Sequence, residues 1–201
     1  MSPLPMHIYD NTVENAGIAQ RYNHYIKTLM RDEEWLIFCH QDFAILEEPD
    51  VILQTLDDTC IYGPIGAARD KGIYFRNSRI LFERKRLYGQ INQASNDEKY
   101  YRNGIFLRKP KLVDTIDCCC MIVHASLIKK NNLLFDENFR FHLYVEDFAL
   151  SARYRYGIRT KAIQIQCKHL SIGHLNQDFS VSLAYLKSKY TEIKFVGTCF
   201  S

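Results

Sequence analysis

The stretch Trp35-Leu36-Ile37-Phe38-Cys39-His40-Gln41-Asp42 decides the fold, because an uncharged apolar run ends abruptly in a histidine, an amide and a carboxylate. A run that short reads as a strand buried on both faces. Open α/β sheets bind ligands beyond the carboxyl ends of their strands, so the polar tip is placed for chemistry. A carboxylate at that tip points to a metal or phosphate site.

Working outward, Met6–Tyr9 reads as a short strand that Pro3 and Pro5 cut off on its left, and Asp10-Asn11-Thr12 as a turn. Asn15–Met30 reads as a helix with Ile18, Tyr22, Tyr25, Ile26 and Leu29 on one face. After the Trp35–Cys39 strand come a helix over Leu53–Thr59 and a strand over Cys60–Ala67, interrupted by Gly63-Pro64 and Gly66. Alternating strands and helices imply a parallel sheet with crossover helices. Phe75–Lys111 has the polar texture of a surface excursion, and Leu112–His124 returns to apolar order. A short helix over Ala125–Asn131 and a turn at Asp136-Glu137-Asn138 follow. Glu146–Tyr156 has acids in its first turn, Arg153 and Arg155 in its last and Gly157 as terminator, the full pattern of a helix. Thr160–Cys167 is then a strand leading to His169, and Val181–Tyr190 a last helix.

With 201 residues, 47% hydrophobic and 24% charged, the chain has ordinary globular composition and supports one domain. No window approaches the roughly 18–20 apolar residues of a membrane span, and Met1–Asp10 lacks the features of a secretory signal. The expectation is a cytoplasmic protein. Its seven cysteines form no C-x-x-C pair, so they read as reduced thiols rather than a disulfide framework or a zinc site. Cys118-Cys119-Cys120 fit a strand with faces alternately buried and exposed. Charge is uneven: between Arg76 and Lys111 ten basic residues stand against Glu83, Asp97 and Glu98. That segment is a solvated face or a contact for a polyanionic or membrane surface. Nothing there forms a base-stacking motif, which argues against nucleic acid.

The order of these signals resembles a family 2 glycosyltransferase of the GT-A (nucleotide-diphospho-sugar transferase) fold, and within it the streptomycin-biosynthesis-type group. Asn15-Ala16-Gly17-Ile18-Ala19-Gln20-Arg21-Tyr22-Asn23 and the Phe38-to-Asp42 strand end carry the likeness. It continues through Gly63-Pro64-Ile65-Gly66, Val113–Asp117, Phe135-Asp136-Glu137, Phe141–Phe148, Gly157 and His169. The resemblance implies one domain over 1–201 with a single mixed, mostly parallel sheet flanked by helices. Residues 1–67 would form the nucleotide-sugar half, 112–201 the acceptor and catalytic half, and 75–111 the basic excursion. Family members usually begin with a further strand and helix, so the resemblance implies either that the first unit of the fold is missing here or that the sequence starts inside a longer gene product.

The activity so implied is metal-dependent, inverting transfer of a sugar from a nucleoside diphosphate to a glycan or lipid-linked acceptor in surface polysaccharide biosynthesis. Asp42 matches the last acid of the family's D-x-D motif. Facing a diphosphate at ~4 Å, a bare carboxylate is repelled by about 4 kcal/mol at an effective dielectric of 20, whereas a Mn²⁺ or Mg²⁺ ion between them turns it into a ligand. The bland reading of Asp42 is a cap before Ile45. His40 stands where many members have the first Asp, which leaves open whether it touches metal, donor or only its neighbours. His169 matches a late histidine that completes the metal site, with His174 as competitor. Within Glu146-Asp147 the base is ambiguous: one alignment makes Asp147 the base, another puts Val145 at the catalytic acid's place. Both residues also suit plain helix capping. Asp117, Asp10, Asn15, Tyr22, Asn23, His40 and Gln41 are the candidates for donor and sugar contacts. A rival reading is a truncated, catalytically silent relative that binds a glycan or protein.

Overall fold

The structure, a computed structural model, describes residues 6–9, 14–74, 80–94, 99–170 and 176–200. Met6–Tyr9 is irregular rather than a strand, with Met6 and Ile8 each 81% exposed. Among the described residues no strand pairs with it, and an unpaired strand gains neither ladder hydrogen bonds nor burial. The first helix, α1 (Ile18–Thr28), starts later than its periodicity suggests. Asn15 has a φ of 44° and Gly17 is extended, so helical geometry begins only at Ile18, whose N–H donates to Arg140 O at 2.7 Å.

The opening stretch forms β1 (Trp35–Cys39), followed by β2 (Phe43–Ile45), helix α2 (Pro49–Leu53) and β3 (Cys60–Gly63). The expected Leu53–Thr59 helix therefore lies earlier. Pro49 supplies a preset φ at the first turn and Asp50 an acid near the helix N-terminus, while Asp57 closes a turn by accepting from Thr59 N–H at 2.9 Å. The excursion is ordered into hairpins. Strands β4 (Gly66–Tyr74) and β5 (Ile80–Tyr88) pair antiparallel over nine positions, and β6 (Ile91–Ala94) pairs with β7 (Tyr100–Asn103). Gly89, at φ 84°, makes the corner between them, where a Cβ would lie 2.0 Å from Pro64 O.

Short strands β8 (Lys111–Leu112) and β9 (Thr115–Ile116) lead to β10 (Cys120–His124) and helix α3 (Ala125–Asn131). Cys118 and Cys119 lie in a turn before β10, so the three cysteines do not alternate along one strand; Cys119 and Cys120 are both buried. All seven cysteines are free. Helix α4 (Tyr144–Tyr156) begins after Leu143 at φ 63° and ends at left-handed Gly157, whose N–H donates to Arg153 O at 2.9 Å. The expected Thr160–Cys167 strand is split into β11 (Arg159–Ala162) and β12 (Cys167–His169). Helix α5 (Gln177–Lys189) is capped by Asn176, whose Oδ1 accepts from Phe179 N–H at 3.0 Å, which places its start ahead of Val181.

The fold is α/β, but among the described residues three sheets replace the single one expected, with strand orders β1-β10-β3-β11-β8, β2-β12-β6-β7 and β5-β4-β9. The five-stranded sheet is mixed. β10 runs antiparallel to both β1 and β3, β11 runs parallel to β3, and β8 antiparallel to β11. A purely parallel arrangement fails because hairpins, not a crossover helix, bridge β3 and β10, so β10 enters from the opposite end. The second sheet arises because the chain leaves β11 at Ile163, whose N–H still bonds Gly63 O at 2.9 Å, and β12 then pairs with β2 and β6.

Apolar side chains cover both faces of the large sheet. On one face Leu36, Phe38, Met121 and Val123 pack with Phe135, Phe139, Tyr144 and Phe148; on the other Tyr62, Cys120 and Ile122 meet Ile52, Ile65, Ile163 and Ile165. Met121, Ile122 and Val123 are fully buried, each contributing about 1.5–3 kcal/mol. β1 itself is an edge strand with alternating burial, not a strand covered on both faces: Leu36 and Phe38 are buried, Trp35 and Ile37 half-buried and Cys39 exposed. Among the described residues no helix is long and apolar enough to cross a membrane.

Candidate functional site

The end of β1 opens into a cleft of about 2180 Å³ between α1, the Asp117-Cys118 turn, the segment before α4 and the strand end at His169. Backbone bonds hold the polar tip there: His40 N–H donates to Cys119 O at 3.1 Å, Phe43 N–H returns to His40 O at 3.1 Å, and Leu170 N–H donates to Asp42 O at 2.9 Å. The last bond joins the β1 tip to the residue after β12, 128 positions on, and so brings His169 beside Asp42. His40, Asp42 and His169 offer one ligand atom each, all within 4.8 Å of one another. Asp42 Oδ1 lies 3.5 Å from His169 Nε2 and 3.9 Å from His40 Nδ1. Two ligands each about 2.1 Å from one ion lie roughly 3–4 Å apart, a range that both Asp42 distances meet, so the cluster is one that could hold a divalent cation.

Each imidazole is oriented by a neighbour. His169 Nδ1 meets Gln93 Oε1 at 3.2 Å, and His40 Nε2 meets the Tyr144 hydroxyl at 2.8 Å, which in turn donates to Cys118 O at 3.1 Å. Phe141 stacks on His40 with an interplanar angle of 16°. Burial lowers the His40 pKa, while Asp117 and Asp42 work against that shift.

Two carboxyls face the same cleft from the other side. Asp117 accepts from Cys119 N–H at 3.0 Å and from the Thr198 hydroxyl at 2.6 Å. Glu146, in the first turn of α4, is 1% exposed, and its Oε2 has no hydrogen-bond partner among the described residues. Burial and then the charge of Asp117 push its pKa well above the usual carboxylate range. Thr198 and Cys199 complete this wall; burial and Asp117 push the Cys199 thiol up to about 11.

Adjacent Asp147 is differently employed. Its carboxylate pairs with Lys189 Nζ at 2.8 Å and accepts from the Tyr190 hydroxyl at 2.9 Å, and Lys189 also reaches Asp136 at 2.8 Å. Burial raises the Asp147 pKa in spite of these partners. Asp147 does not line the cleft, nor does Asn23, whose amide brackets Phe135 through its O at 2.9 Å and its N–H at 2.8 Å and also reaches Glu137. Asn15, Tyr22, His40, Gln41, Asp42, Asp117, Glu146 and His169 do line it. The Tyr22 hydroxyl donates to Cys39 O at 3.2 Å and its ring packs on Phe38, so that side chain is also core. Asp10 and His174 lie outside the described residues.

Sequence reasoning missed Gln93, which sits in the segment read as a polar excursion, and the roles of Tyr144 and Thr198. Tyr144 belongs to the Phe141–Phe148 stretch, but nothing in its spacing indicates a histidine across the fold. Comparison with protein-family models found no match, and comparison with curated proteins found no similar sequence.

Proposed function

We propose that the protein is a metal-dependent, inverting glycosyltransferase that moves a sugar from a nucleoside diphosphate to a glycan or lipid-linked acceptor in surface polysaccharide biosynthesis. One observation carries this reading: the His40, Asp42 and His169 cluster lines one cleft with the buried Glu146 carboxyl, whose Oε2 has no hydrogen-bond partner among the described residues. Asp42 and His169 would hold Mn²⁺ or Mg²⁺, which when bound offsets the charge of the leaving diphosphate.

Glu146 takes the proton of the acceptor hydroxyl. Its raised proton affinity suits a base once ionised, and it has an oxygen without another partner. As the hydroxyl loses its proton, its oxygen forms the new bond to the anomeric carbon. The bond from that carbon to the phosphate oxygen breaks, and the nucleoside diphosphate leaves with the electron pair from the opposite face. Asp117, held by Thr198 and Cys119 N–H, is placed to orient the sugar or acceptor hydroxyls. Asp147 is a positioning residue in this reading, fastening α5 to α4 through Lys189 and Tyr190. We place the activity in the cytoplasm at the inner face of the membrane, a location that suits the seven free thiols.

Thermal unfolding with UDP, GDP, dTDP and CDP, each with and without Mn²⁺, tests this directly. One nucleotide should raise the midpoint only when metal is present; at 100 times its dissociation constant the gain is about 2.7 kcal/mol, roughly 5–11 °C for a chain this size. Asp42→Ala should abolish the shift. No shift with any nucleotide would sink the proposal and favour a catalytically silent binding module.

A further inference from the structure

We infer that His40 is a third ligand of the dication and that the site selects a first-row transition metal (Mn²⁺, Fe²⁺, Co²⁺ or Zn²⁺) over Mg²⁺. This rests on reading Asp42 and His169 as metal ligands.

The geometry of the cluster carries the inference. His169 Nδ1 meets Gln93 Oε1 at 3.2 Å, which leaves Nε2 as the ring nitrogen facing Asp42 Oδ1, at 3.5 Å. His40 Nε2 meets the Tyr144 hydroxyl at 2.8 Å, which leaves Nδ1 facing the same oxygen, at 3.9 Å. Two ring nitrogens and one carboxylate oxygen thus converge within 4.8 Å, a set able to hold one cation. Both histidines also have the outer hydrogen bond that metal-bound imidazoles keep.

Two nitrogens and one oxygen are a poor set for Mg²⁺, which takes oxygen ligands and holds its waters, and a better one for first-row transition ions, with affinity rising from Mn²⁺, the most oxygen-loving of them, through Fe²⁺ to Co²⁺ and with Zn²⁺ well suited to imidazole. Tyr144, from the start of α4, holds His40 toward the cluster. The metal preference is therefore set by a residue pair that brings the β1 tip and α4 together, 104 positions apart.

Titration calorimetry of the full chain without nucleotide, using MnCl₂, CoCl₂, ZnCl₂ and MgCl₂, tests the inference. Electron spin echo spectroscopy of bound Mn²⁺ counts the coordinated imidazoles. The wild type should bind the transition metals on the order of tenfold or more tighter than Mg²⁺ and show two imidazoles. His40→Ala should show one imidazole, and Tyr144→Phe, which keeps the buried ring, should weaken transition-metal binding by about 10–100-fold. His40→Asp should narrow the preference by improving Mg²⁺. Equal affinity for Mg²⁺ and Mn²⁺, or two imidazoles surviving in His40→Ala, would overturn it. If nucleotide binds equally well with Mg²⁺, this inference fails while the glycosyltransferase reading stands. If transition metal binds through two imidazoles and no nucleotide follows, the reading fails while the inference stands.

Discussion

Replacing Lys189 with methionine separates a structural Asp147 from a catalytic one. The Lys189 ammonium lies 2.8 Å from both Asp136 and Asp147, and the Asp147 side chain is only 3% exposed. Methionine keeps the length of the side chain and removes its charge, leaving two acids facing each other with Tyr190 as the main remaining donor to Asp147. Removing one partner of a buried pair costs about 3–5 kcal/mol because the other charge is left uncompensated. The Lys189 side chain is 22% exposed, which places the loss at the lower end, about 3 kcal/mol, or roughly 6–12 °C in unfolding midpoint. Thermal and urea unfolding measure it. Combining Lys189→Met with Asp147→Asn should recover much of the loss, since the stranded charge is gone. Asp147→Asn alone should destabilise the fold yet keep metal-dependent nucleotide binding. A loss in Lys189→Met below about 1 kcal/mol would refute the role given to this network. So would loss of nucleotide binding in Asp147→Asn at unchanged stability.

Asn23→Ala leaves the N–H and C=O of Phe135 unpaired, so urea unfolding should show a loss of about 1–3 kcal/mol with unchanged nucleotide binding. Glu146 keeps its proton in the folded chain above the ordinary value of 4.5, so as pH rises through that value the unfolded chain releases a proton that the folded chain retains, and stability falls. Glu146→Gln mimics the protonated form; it should be more stable than wild type at pH 7 and no more stable at pH 4, as pH-dependent denaturation will show. Gly157→Ala meets no atom within 4 Å and should cost only the left-handed backbone penalty, about 1–2 kcal/mol, whereas Gly89→Ala, against Pro64 O, should cost clearly more in the same assay.

The β1 strand, α4 and the short α3 were legible because their signals are local: an apolar run with a polar tip, or acids, bases and a glycine at the right ends of a helix. Strand direction was not. Cys120–His124 reads as a buried strand, but its place between β1 and β3 depends on the hairpins that precede it, whose pairing no periodicity of 75–111 announces. The break between Ala162 and Cys167 was hidden for a similar reason, since Ile163 and Ile165 continue an apolar alternation while their backbone changes sheet. At the site, Asp42 and His169 could be named from motif order, and the structure brings them within 3.5 Å. Gln93 and Tyr144 act on histidines 76 and 104 positions away, a distance at which only the folded chain reveals the partner. Glu146 and Asp147 are neighbours in sequence with opposite surroundings, because successive helical residues point about 100° apart. One faces the cleft; the other faces α5.

Anomalous diffraction from crystals grown with Mn²⁺ and the nucleoside diphosphate that stabilises the chain most tests the central claim directly. The account predicts a manganese peak bounded by Asp42, His169 and His40, with diphosphate oxygens completing its coordination and the Glu146 carboxyl on the far side of the leaving group. A nucleotide bound away from that cluster, or manganese absent from it, would contradict the account.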